Sequence, residues 1–357
     1  MKPLVVNIKS FFGYLTGVFI LFTFACTNGR LEGEWAVPVN QIFEGQGNGD
    51  IPAVNNPQFT KASQTTFLTD ESIIIGIQVG AIIKAYPLDI MDWHEVVNDE
   101  IDSLLIAITH SSLSGSSIGL NRNVNGQIAE FSVTGLLFNS NTIFNDQETQ
   151  TDWSQMLRKG IRGGMTEAPL NSFNVLEMNW AKWRQLFPDS DVLNQNTSFN
   201  RPYGDYPYGD YQMDDTKIFF DLPLDIDSLN NIFPLKEKML GVRVADIAKG
   251  YRFESFEADI FSIIEDEING EPIIVIGNPT ANFLVAYSAK DEAGQRRNLD
   301  IVDNGVEVLI IDELGNEWSL FGQGLENNQL PLGNLESNIA YWFSWATFYP
   351  QIEIFQG

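Results

Sequence analysis

Two patterns of apolar and polar positions divide the chain. Runs rich in β-branched and aromatic residues and broken by glycine, such as SIIIGIQVGAIIKAYPL (Ser72 to Leu88), EFSVTGLLF (Glu130 to Phe138) and NFLVAYSA (Asn282 to Ala289), predict short strands joined by tight turns. Two segments break that rhythm. In WAKWRQLFP (Trp180 to Pro188) the rings of Trp180, Trp183 and Phe187 fall at i, i+3 and i+7, and in WFSWATFYP (Trp342 to Pro350) those of Trp342, Trp345 and Tyr349 do the same. That spacing puts three rings on one helical face, and Pro188 and Pro350 end the helices. Many strands and few helices predict a β-rich α+β fold.

The strand pattern also repeats. Gly76, Val79, Ile82, Lys84 and Tyr86 return 165 residues later as Gly241, Val244, Ile247, Lys249 and Tyr251. VVNDEI (Val96 to Ile101) returns as IIEDEI (Ile263 to Ile268), Trp153-Ser154 as Trp318-Ser319, Pro169-Leu170 as Pro331-Leu332, and the first tryptophan helix as the second. The order is kept and the offset stays between 162 and 168, so the sequence reads as two tandem homologous units, each closed by a Trp-x-x-Trp helix. The expected layout is a first unit at 51–200, a Tyr/Gly/Pro-rich connection at 201–230 and a second unit at 231–357. Recurrence in both units favours core packing for the tryptophans over a ligand platform. The connection holds PYGDY twice, with Tyr203, Tyr206, Tyr208 and Tyr211 inside nine residues. So many rings exceed what a solvated linker needs, and the segment is expected to pack over something.

The N-terminus changes the compartment. Lys2 and Lys9 precede an apolar run from Phe11 to Ala25 that ends at the single cysteine, Cys26, which is the layout of a signal peptide over residues 1–25. TFAC followed by TNGR resembles a bacterial lipoprotein signal, in which Cys26 carries the lipid. The expectation is an extracytoplasmic protein, anchored to a bacterial membrane only through Cys26, with a flexible tether over residues 26–50. Beyond Cys26 there is no cysteine, so stability has to come from a core rather than from disulfides. The formal net charge is −26, a field that repels nucleic acid and anionic headgroups. The partner class left open is a small molecule or a protein; no cofactor is indicated.

Candidate chemistry gathers in the first unit, which holds both histidines. His94, in DWHEVVND (Asp92 to Asp99), falls opposite Phe261, and Glu95 opposite Ser262. His110 opens HSSLSGS (His110 to Ser116), which faces PTANF in the second unit. Folding needs residues in both units, whereas chemistry can survive in one, so this polar patch is the candidate site. The sequence between His94 and His110 reads as a turn joining two strands, a hairpin that would bring the imidazoles near each other. With a carboxylate such as Glu95 they would make a metal site. Ser111, Ser114 or Ser116 with a histidine base is the hydrolytic alternative, although no Gly-x-Ser-x-Gly elbow is present.

AYPLDIMDWHEVVND, ITHSSLSGSSIGLNR, FSVTGLLFNSNTIFNDQETQTDWSQ and the Trp-x-x-Trp helix with its C-terminal echo follow one another between about residues 51 and 355. In this order they resemble the DUF3179 family of exported bacterial proteins. The resemblance implies a Thr-Tyr-Cys-Pro-x-Cys-Gly stretch after the His-Glu motif, and some members resemble selenoproteins with selenocysteine at the first Cys. Such a pair suits redox exchange, one sulfur or selenium attacking and the other resolving. By position Ser111 and Ser114 stand at the two Cys, Ser112 at the Pro and His110 at the Tyr, while Gly115 is kept. A serine hydroxyl neither forms a disulfide nor cycles through sulfenic acid. The matching shell around the lost thiols is His94, Glu95, Asn98, Asp99, Arg122, Asp146, Trp153 and Gln155. The resulting expectation is a non-redox binding or structural lipoprotein. Its alternative is a metal-dependent or Ser/His hydrolytic enzyme centred on His94 and His110.

Overall fold

The computed structural model describes residues 31–45 and 50–357, with the backbone of Leu4–Val5. Cys26 and most of the signal segment lie outside the described residues. The described residues are β-rich with four short α-helices: α1 (Leu88–His94), α2 (Trp180–Leu186), α3 (Ile226–Asn230) and α4 (Trp342–Phe348). Among the described residues no helix is long and apolar enough to cross a membrane.

The apolar runs Ile73–Val79 and Ile82–Pro87, each with a continuous buried stretch, form an antiparallel hairpin, and Leu176–Asn179 pairs with its first strand. Asp191–Leu193 runs parallel to its second strand, and Phe59–Lys61 closes the edge. The hairpin of Lys238–Val244 and Ile247–Arg252 is flanked by Glu336–Tyr341, the parallel Glu353–Ile354 and finally Leu4–Val5. Strand order and directions match between these two sheets. The meander Val96–Ile101, Leu104–Ser111 and Ser116–Asn121 likewise has a counterpart in Ser262–Ile268, Glu271–Asn278 and Phe283–Ser288. The sheet containing Phe131–Phe138, Asn141–Asp146 and Thr151–Ser154 corresponds in strand order to a smaller one of Leu299–Asp303, Val308–Asp312 and Glu317–Ser319.

Each tryptophan helix lies on a hairpin through a glycine. A Cβ on Gly76 would meet the Trp183 ring at 2.0 Å, and one on Gly241 would meet Trp345 at 2.1 Å. Trp180, Trp183, Trp342 and Trp345 are fully buried. The cores they enter are shared between the halves rather than private to each. Trp183 packs in a cluster with Ile274, Phe283, Trp318 and Phe321, and Trp345 in one with Leu113, Leu137 and Met156. The exchange is reciprocal in the backbone too. Tyr341 N–H donates to the Ser114 carbonyl and Asn179 N–H to the Ala281 carbonyl, so each half's strand-helix junction holds a turn of the other.

One segment departs from the expected layout, and the connection packs as expected. Residues 31–45, expected within a flexible tether, are packed: Ile42–Glu44 pairs with Leu136–Phe138, and Ile42 joins Ile143 and Ile161 in a core. The connection at 201–230 is equally ordered, with Tyr211 and Leu229 buried against α4.

Candidate functional site

The site grows from α1, which has no helical counterpart in the other half, where a 3-10 turn, Phe253–Ser255, stands instead. α1 ends because Glu95 turns left-handed at φ 56°, its N–H still reaching the Met91 carbonyl. The chain then enters Val96–Ile101 and returns through a turn at Asp102 and Ser103, both at positive φ as a two-residue type I′ hairpin requires. That register sets His110 opposite Glu95, and the His110 N–H donates to the Glu95 carbonyl at 2.8 Å.

The hairpin therefore forms, but the two imidazoles turn to different partners. His94 Nδ1 meets the Pro52 carbonyl and Nε2 the Tyr203 hydroxyl, both at 2.6 Å. A carbonyl only accepts, so Nδ1 carries the proton, and in a neutral ring Nε2 accepts from Tyr203. Burial holds the His94 pKa below its usual value, which keeps the ring neutral; nearby Arg201 acts in the same direction. His110 Nδ1 meets Ser117 Oγ at 3.1 Å, and Nε2 meets Asp92 Oδ1 at 3.3 Å. Both rings are already engaged with protein partners. Among the described residues no three His, Cys, Asp or Glu side chains converge as a metal site would need.

The serines belong to a closed hydrogen-bond network. Ser111 Oγ accepts from the Thr142 N–H at 3.2 Å, and Ser114 Oγ accepts from Asn141 Nδ2 at 2.9 Å. Ser116 Oγ donates to Gln155 Oε1 at 2.6 Å, which leaves Ser114 as the donor in its 2.8 Å contact with Ser116. Gln155 Nε2 donates onward to Thr109 Oγ1 and the Ser116 carbonyl. No histidine is among the hydrogen-bond partners of Ser111 or Ser114. Gly115 sits at φ 63°, and a Cβ there would meet the Tyr341 ring at 2.9 Å. Glycine is thus required twice over in this turn, by backbone conformation and by close approach.

Glu95 joins that network to a cavity. Its carboxylate accepts from the Thr142 hydroxyl at 2.7 Å and from Tyr208 at 3.4 Å. Burial outweighs these hydrogen bonds and the neighbouring His110, pushing the Glu95 pKa up to about 7. Glu95 and Thr142 lie at the polar end of a cavity of about 190 Å³. Leu113, Val133, Leu136 and Leu137 form its apolar wall; Tyr208, Phe219 and Phe220 form an aromatic one, and Glu44 also lines it.

Over this site runs the connection between the halves. Tyr206 and Tyr211 donate to the carbonyls of Ser112 and Leu113, Tyr208 to Glu95, and Tyr203 to His94. All four tyrosines of the PYGDY repeat therefore cover the first unit's polar patch. Asp92, Asn141, Thr142, Ser116 and Ser117 complete it; all five lie inside the quoted motifs, but nothing in the sequence set them apart from their neighbours.

The remaining predicted residues are placed elsewhere. Asn98 bonds Asn55 and both backbone groups of Phe131, pinning neighbouring strands. Asp99 accepts from Lys84 at 2.7 Å and Tyr86 at 2.6 Å; the same triad recurs in the other half as Lys249, Tyr251 and Asp266, which marks it as structural. Arg122 donates to the Ala129 carbonyl and, with Asn98 and Asp99, lines a separate polar depression. Asp146 caps a turn through the N–H groups of Glu148 and Thr149. Trp153 fills a core with Phe131 and Phe144. Of the expected shell, Glu95 and Gln155 meet the serine network and His94 borders it; the other five do not.

A family profile described as "Protein of unknown function (DUF3179)" matches residues 48–352. No curated protein and no solved structure matches the chain. Since the match spans nearly all of the described fold, the chain belongs to the DUF3179 family.

Proposed function

We propose that this protein is a non-redox small-molecule binding protein, exported and lipid-anchored at Cys26, in which serine has replaced the family's thiol pair. The observation that carries the reading is Glu95: a buried carboxyl, held by Thr142 and Tyr208, that lines a largely apolar and aromatic cavity. A mostly apolar pocket with one or two convergent polar groups and a perturbed carboxyl is the ordinary form of a ligand site. At Ser111 and Ser114 the hydroxyls are absorbed into hydrogen bonds with Asn141, Ser116 and the Thr142 N–H, a structural use of the positions. The matched strand orders support an origin by duplication, with units at 51–200 and 231–357; the half that kept α1 carries the site.

The test is a thermal-shift screen of the mature chain against a metabolite panel, because a ligand that prefers the folded state must raise Tm. At least one compound should raise Tm, and less so for a cavity-filling Val133→Phe variant. Equal responses of both proteins to every compound would sink the reading. Export and lipidation are tested by palmitate labelling, which should vanish on Cys26→Ser.

A further inference from the structure

The cavity is chemically lopsided. Its lining holds the carboxyls of Glu95 and Glu44, and among the described residues no Lys or Arg side chain lines it. Part of the lining is an aromatic cluster: Tyr208 and Phe219 lie with ring centroids 6.4 Å apart, and the buried Tyr211 lies 4.6 Å from Phe219. Phe219 is 42% exposed, so its ring can be reached from solvent. Its π system already attracts an ammonium, with Lys217 Nζ 5.7 Å from the ring centroid. A carboxylate and aromatic faces lining a small apolar volume are the groups that recognise an organic cation. An anion would meet Glu95 and Glu44, whereas a neutral molecule would leave the carboxylate without a counter-charge.

We infer that the cavity binds a small organic cation, an alkyl or aryl ammonium whose nitrogen meets Glu95 and whose apolar body lies between the leucine wall and the Tyr208, Phe219 and Phe220 rings. This rests on the binding reading above and names its ligand class. The protein's formal charge of −26 acts in the same sense, raising the local concentration of cations at every opening. Around Glu95 the titratable neighbours are His110 and Asp92 from the hairpin and α1, Tyr208 from the connection, and Glu44 across the cavity. Because the carboxyl titrates near 7, cation affinity should fall as pH drops below that value, approaching about tenfold per pH unit.

The experiment is calorimetric titration of the mature chain at pH 8 with four probes of similar size: butylammonium, butyltrimethylammonium, 1-pentanol and pentanoate. The two cations should bind, and pentanol and pentanoate should bind at least about tenfold more weakly, the difference a charge-assisted contact provides. Glu95→Gln should remove that advantage while leaving pentanol unchanged, and Phe219→Leu should weaken the quaternary ion more than the primary one. Binding of pentanol or pentanoate as tight as that of the cations overturns the cation assignment and leaves the binding site standing. If none of the four probes binds, both the assignment and the pocket reading fall.

Discussion

Glu95 concentrates the conflict on which the site rests. The residue takes a left-handed backbone, and its side chain is buried beside Thr142 and Tyr208. In the unfolded chain the carboxyl titrates near 4.5, and in the folded protein at about 7. The folded state thus holds its proton longer, so this group opposes folding increasingly as pH rises from 4.5 to 7, and fully above 7. The limit is about 3 kcal/mol, at roughly 1.4 kcal/mol per pKa unit. Glu95→Gln should raise stability by up to about that amount at pH 8 and change little at pH 4, as measured by urea unfolding at the two pH values. Equal effects at both would show that the carboxyl is not held protonated by folding. Glu95 was legible in the sequence because the other half has serine at the matching place. Thr142 and Tyr208 were not, since they come from positions 47 and 113 residues away and meet it only after folding.

At the scale of elements, the serine turn and the glycine seats have separate logics. The Ser114 N–H bonds the Ser111 carbonyl at 3.2 Å, closing a turn that brings two Cα atoms within about 7 Å, inside the range a disulfide spans. A Ser111→Cys, Ser114→Cys variant should therefore oxidise readily to an internal disulfide, read by intact mass and thiol titration. Thiols that stay free under mild oxidant would mean the turn no longer holds a dithiol geometry. The hairpin glycines make a different prediction. Gly76→Ala and Gly241→Ala would each drive a methyl into a tryptophan ring, costing about 3 kcal/mol by overpacking. Denaturant midpoints should fall by similar amounts in both variants, and an alanine tolerated at either site would contradict that seat. The tryptophan spacing announced both helices and their buried faces. It did not show that Trp183 and Trp345 reach cores built partly by the other half.

Across the whole molecule the halves are interlocked. Trp183 sits among Ile274, Phe283 and Phe321, while Trp342 and Trp345 share a core with Leu113, Met156 and Tyr211. Arg158 adds a buried link, donating to Asn338 Oδ1 at 2.8 Å. Separating the halves would expose both shared cores. Residues 51–200 expressed alone should show no cooperative melt, whereas residues 26–357 should unfold in one transition with equal calorimetric and van't Hoff enthalpies. Two resolved transitions for the full chain would mean that the halves are stable independently.

Local pattern alone determined the strand-rich class, the repeat, the two tryptophan helices and the first half as the place where polar residues collect. These are properties of spacing, and spacing survives without knowledge of neighbours. Tertiary structure decided which of those polar residues meet. Asp99 looked like a ligand contact and proved to be one member of a triad repeated at Asp266, while His94 and His110 left a shared hairpin for different partners. The cavity is the clearest case: its walls come from residues 44 to 220, brought together by sheet packing and the tyrosine connection, and no short stretch of sequence contains it.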